Sequence, residues 1–95
     1  MKFKTTEQAD EDIIGIYLYG AQHFGIEQAE QYHTGIIESF EFLAEHPFSA
    51  RERTEFTPPV RFYFYSTHVI VYLIRDDYIL IVRVLHGRQD WERHL

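Results

Sequence analysis

The sequence predicts an α+β fold, a single domain over residues 1–95. An N-terminal strand and an antiparallel helical hairpin come first, then a three-stranded antiparallel meander. Three observations predict it. Residues 7–46 carry apolar side chains at three-four spacing, the period of a helix with one buried face. From residue 60 onward the pattern changes to dense β-branched and aromatic runs. Those runs are separated by connectors short enough for hairpins.

The opening "MKFKTT" reads as a short strand with Phe3 facing inward. In "EQADEDIIGIYLYGAQHFG", Ala9, Ile13, Ile16, Tyr17 and Phe24 mark one helical face. Acids fill its first turn, where the helix dipole favours negative charge, and Thr6 is the natural N-cap. Gly25 stands where a helix ends in the left-handed region. "IEQAEQYHTGIIESFEFLAEHP" repeats the pattern with Ala29, Tyr32, Ile36, Phe40, Leu43 and Ala44, and Pro47 stops it. With about one residue between them, the two helices are expected to fold back on each other.

Residues 48–59, "FSARERTEFTPP", hold charges, two prolines and no periodicity, and read as a loop. "VRFYFY" (60–65), "HVIVYLIR" (68–75) and "YILIVRVLH" (78–86) are the strands, joined by Ser66-Thr67 and Asp76-Asp77. The closing "RQDWERHL" suits a short helical turn with Trp91 and Leu95 on one side.

An antiparallel sheet with one wet face alternates apolar and polar residues. These strands do not. Residues 78–86 offer Leu80, Val82 and Val84 on one face and Ile79, Ile81 and Leu85, with Arg83, on the other. Residues 68–75 set Val69, Val71 and Leu73 against Ile70, Tyr72 and Ile74. Two helices cover only one face of such a sheet. The second face must be closed by the sheet's curvature and tail, or by another chain.

Composition narrows the function classes. The chain is 45% hydrophobic, has no cysteine and carries a net charge of −6. There is neither a disulfide framework nor a thiolate site, and no apolar stretch long enough for a membrane span or a signal peptide, so a cytoplasmic place is expected. The acidic balance argues against nonspecific nucleic-acid binding. Charge is uneven: residues 1–50 hold two lysines against nine acids, and residues 51–95 hold seven arginines against six acids. The all-arginine cations of the second half favour planar, bidentate contacts.

Arg83 is the most informative residue: either an edge arginine in a structural ion pair, or an anion contact shared with Arg61. His86 ends its strand, and Gly87 is expected to supply a positive-φ turn. Cleavage of RNA by a 2′-hydroxyl needs a base, cations for the oxyanion and an acid for the leaving oxygen. Glu55, Arg61, Arg83 and His86 supply those residue types. The six histidines show no pair at ligand spacing on one element, so no metal is expected; no cofactor is expected either, for there is no glycine-rich phosphate loop. The run "FYFY" is read as core and hairpin packing rather than a base-stacking platform.

The order of elements, with "ADEDIIGIYLYGAQHFGIEQAEQYHTGI", "LAEHP" and above all "HVIVY" followed by "IVRVLHGRQDW", resembles the ParE branch of the RelE/ParE toxin superfamily over nearly the whole chain. The resemblance implies a RelE/ParE-like fold and the toxin half of a bacterial type II toxin–antitoxin operon, of the kind called plasmid stabilisation proteins. It implies a small antitoxin, partly disordered when free, that folds along the helical hairpin and sheet in an oligomeric complex. ParE-like relatives poison DNA gyrase; RelE-like relatives cut mRNA in the ribosome. Arg61 and Arg83 fall where RelE-like nucleases contact phosphate, but the lysines of those enzymes and their basic character are missing.

The expectation that follows is a gyrase inhibitor acting by contact, not an enzyme, with Arg83, Arg88, Trp91 and Arg93 facing the target and Ile13, Tyr17 and Ile36 facing the antitoxin. A ribosome-dependent mRNA endonuclease using Glu55, Arg61, Arg83 and His86 is the alternative, and a non-toxic antitoxin-binding relic is a third reading.

Overall fold

A computed structural model describes residues 1–95, apart from the side chain of Glu92. The elements run β1 (Lys2–Thr5), α1 (Glu7–Phe24), α2 (Ile26–Glu45), β2 (Glu52–Arg53), β3 (Val60–Tyr65), β4 (His68–Ile74), β5 (Tyr78–His86) and α3 (Trp91–His94). The expected α+β order holds. The sheet is mixed: its order is β1-β5-β4-β3-β2, with β1 parallel to β5 and the other pairs antiparallel. The meander is thus extended on both sides, by β1 and by a two-residue strand inside the segment read as loop.

Thr6 joins strand to helix. Its hydroxyl oxygen accepts the Ala9 amide at 3.0 Å, as an N-cap should, and donates to the Val82 carbonyl at 2.6 Å. Its own amide reaches the Ile81 carbonyl at 3.0 Å. One residue therefore starts α1 and ties it to β5. At the other end Gly25, alone between the helices, has φ 95° and ψ 157°, an extended positive-φ conformation open essentially to glycine rather than the left-handed helical one expected.

Two clusters fill the domain. Between helices and sheet lie Ile13, Ile36, Phe40 and Leu43 against Ile70, Tyr72, Ile79, Ile81 and Val84. On the far face lie Val60, Phe62, Val69, Val71, Leu73 and Leu85. The strand faces of β4 are as its alternation predicts. Those of β5 are not: Leu85 lies on the far face and Val84 on the helix face. The register explains it, because Tyr72 opposes Ile81 while Val71 opposes Arg83, so Val82 is an extra residue. Such a bulge reverses the parity of everything after it.

The far face is closed by the chain itself. Val69 and Val71 are fully buried, and Phe56, Leu80, Val82 and Trp91 pack over them and their neighbours. Trp91 meets Phe62 edge to face, ring centroids 4.9 Å apart. Of the two covers considered, the tail supplies this one; no second chain is needed for it. Two turn details also differ. The β4–β5 connector is Arg75 to Asp77, and the positive φ in the β3–β4 turn belongs to Ser66, at 51°, whereas Gly87 has none.

Candidate functional site

Arg83 is tied down. Its Nε donates to Asp12 Oδ2 at 2.7 Å and its Nη2 to Asp12 Oδ1 at 2.9 Å, a bidentate pair between β5 and α1. The same Oδ2 accepts the Val84 amide at 3.0 Å, beyond the point where β1 stops pairing with β5. The Asp12 carboxylate raises the Arg83 pKa further above its ordinary value, against the smaller opposing effect of burial. Arg83 Nη1 also reaches the His94 carbonyl at 3.3 Å. Placed at the target-facing surface by sequence, Arg83 is an internal clamp instead, since its fork is already occupied.

The rest of that proposed surface divides. Arg88 and Arg93 are exposed; Trp91 turns inward onto Phe62 and Phe64. The four residues of the nuclease alternative do not converge. Glu55 is exposed and bound to Arg53 at 2.9 Å, and hydrogen bonding, to backbone and then to Arg53, lowers its pKa. Arg61 donates to the Ala50 carbonyl at 2.6 Å and lies over the Phe48 ring. Arg61 opposes Tyr72 of β4 while His86 opposes His68. Four residue steps along β4 separate those points, about 13 Å.

The hairpin residues expected to meet an antitoxin also divide. Ile36 is fully buried and Ile13 nearly so, both inside the helix–sheet core. Their side chains hold this chain together and offer no surface. Tyr17 is half-buried against His33. What the hairpin does expose is Ile14, Leu18, Tyr19, Phe24 and Ile26, each with about 60% of its surface free. The spacing of Ile14 and Leu18, four apart on the flank beside Ile13 and Tyr17, carried that signal.

A polar cluster went unnoticed in the sequence. The Tyr32 hydroxyl lies 2.6 Å from His68 Nδ1, and the His68 and His86 rings meet at 5.4 Å between centroids. Burial, and secondarily His86, lowers the His68 pKa.

Residues 3–91 match the family model described as the ParE toxin of the type II toxin–antitoxin system parDE. The chain belongs to the ParE toxin family. Toxin ParE1 of Caulobacter vibrioides is 28% identical over 93 residues, covering 98% of this chain and 96% of that one. The chromosomal ParDE toxin–antitoxin structure from P. aeruginosa shares the fold, with a TM-score of 0.78 at 23% identity over 90% of this chain and 95% of the neighbour. No described helix of this ParE-family chain is long and apolar enough to cross a membrane.

Proposed function

We propose that this ParE-family toxin acts by binding DNA gyrase, and that a cognate antitoxin neutralises it by lying along the helical hairpin. The observation that carries the antitoxin half is the exposure of Ile14, Leu18, Tyr19, Phe24 and Ile26 on the hairpin, with Ile14 and Leu18 side by side next to Tyr17 and Tyr19 paired with Phe24 at 6.5 Å. Residues 1–50, which include the hairpin, carry nine acids against two lysines. The segment that fits is an amphipathic helix with an apolar face and basic flanks, folding as it binds. The target-facing surface is the exposed part of the C-terminal tail, with Arg88 and Arg93, and Trp91 as its anchor.

Contact without chemistry is favoured over mRNA cleavage because each residue of the nuclease set has another occupation or stands apart: Glu55 on Arg53, Arg61 on the Ala50 carbonyl, Arg83 on Asp12, His86 at the end of β5 opposite His68. A supercoiling assay with purified gyrase tests it. Inhibition of supercoiling with accumulated cleaved DNA is expected, relieved by the antitoxin. Intact gyrase activity together with cleaved transcripts would replace this reading with the endonuclease; neither effect, with antitoxin binding preserved, would replace it with the relic.

A further inference from the structure

Where the helical hairpin meets the β3–β4 turn, a cleft of about 580 Å³ opens, lined on the helix side by Tyr19, Phe24 and Tyr32 and on the sheet side by His68 and His86. No Asp, Glu, Lys or Arg is among the described residues lining it. Two imidazoles in a cleft lined by no carboxylate have no ion-pair role there, and each is the other's titratable neighbour.

We propose that His68 and His86 form a binding site for one divalent transition-metal ion, Zn2+ or Cu2+. The pairing arises from the bulge in β5. From Ile74 to Tyr72 the register would set His68 against Leu85; after the shift at Val71 it sets His68 directly against His86. Side chains directly opposed on antiparallel strands sit within reach of one another. Two imidazoles bound to one tetrahedral ion through nitrogens at about 2.0–2.1 Å have centroids roughly 5 Å apart, and these lie at 5.4 Å with 75° between planes.

Both rings are tethered through Nδ1, which leaves Nε2 for the ion. The Tyr32 hydroxyl lies 2.6 Å from His68 Nδ1 and 3.5 Å from the Tyr65 carbonyl; the tautomer that a metal selects is the one whose Nδ1–H donates to that hydroxyl, with the Nε2 lone pair turned to the ion. In His86, Nδ1 accepts the Arg88 amide at 3.1 Å. Binding through Nε2 moves that ring's proton to Nδ1 and releases the Arg88 amide, which is exposed and takes water instead. His86 is itself exposed, and once the Arg88 amide is released its ring can turn toward His68. The order of affinity for imidazole sites places Cu2+ ahead of Zn2+. Water completes the coordination, because no group of three or more His, Cys, Asp or Glu side chains gathers among the described residues.

The full-length protein with Zn2+ or Cu2+ alone is the probe. A molar excess of Zn2+ raises Tm by about 4 °C or more, and one equivalent of Cu2+ gives an electron paramagnetic resonance spectrum with two-nitrogen coupling. His86→Ala, at an exposed position, removes both effects; His68→Ala does the same; Tyr32→Phe weakens affinity roughly tenfold by releasing the His68 ring. His23→Ala leaves all of it in place. An unchanged Tm with Zn2+, or a response that survives His86→Ala, overturns the site.

Discussion

Asp12 of α1 holds Arg83 of β5 across 71 positions of sequence, through two parallel hydrogen bonds of 2.7 and 2.9 Å. The same carboxylate also caps the edge of β5 at Val84. Both partners are largely shielded from solvent, at 15% and 16% side-chain exposure.

Removing the carboxylate therefore strands a guanidinium and an amide together. Asp12→Ala is expected to cost about 2 kcal/mol of unfolding free energy by urea titration. Arg83→Lys does not preserve the pair, since an ammonium lacks the two-pronged fork. If Arg83→Lys retained wild-type stability, the bidentate geometry would not matter.

Trp91 is the lid on the far face of the sheet. Trp91→Ala is expected to cost about 2 kcal/mol, below the range for a fully buried tryptophan because the indole is only half-buried. It also uncovers Phe62 beside the buried Val69 and Val71, so an apolar dye such as ANS should bind the variant and not the wild type. Unchanged dye binding would mean that Phe56 and the strand's curvature close the face without the tail.

Tyr72 gives a pH dependence with a definite sign. Its ring is fully buried and its hydroxyl donates to the Pro47 carbonyl at 2.8 Å; burial raises its pKa above 10.0. The folded state then holds the proton more tightly than the unfolded state. The contribution is whole below pH 10 and declines as pH rises toward and past the folded value. Tyr72→Phe loses about 1 kcal/mol at neutral pH with its hydrogen bond, and its stability falls less steeply than the wild type's above pH 10. Parallel alkaline profiles would exclude Tyr72 as the titrating group.

The exposed hairpin strip separates binding from folding. Ile14→Glu and Leu18→Glu should leave stability within about 0.5 kcal/mol, as surface changes do, while antitoxin affinity measured by calorimetry falls at least tenfold. Ile36→Ala should do the reverse, losing about 2–5 kcal/mol from the core. Undiminished antitoxin binding by both glutamate variants would move the docking surface off the hairpin.

Element types were legible because helical spacing, the Thr6 cap, Pro47 and the β-branched runs all act within a few residues of themselves. β2 was hidden by its length, for two residues carry no period. The faces of β5 were misread after Val82 because strict alternation assumes no bulge, and a bulge leaves no mark on composition. Arg83 stood out in the sequence, yet its occupation depends on Asp12, distant in sequence and ordinary among the acids of a first turn. Ile13 and Ile36 were recognisable as apolar stripe residues, and the same stripe that marks a partner's footprint marks a core. His68 and His86 met only through the slipped register.

The parallel pairing of β1 with Tyr78–Ile81 has a consequence for how the molecule comes into being. During synthesis the first forty-five residues emerge as a strand without a mate and two helices whose inward sides have nothing to rest on, because β5, which sits between β1 and β4, is made fifth among the strands. Closure of so long a loop is slow relative to helix formation. Until then the two helices have only each other, and the surface that β5 will cover stays open to solvent.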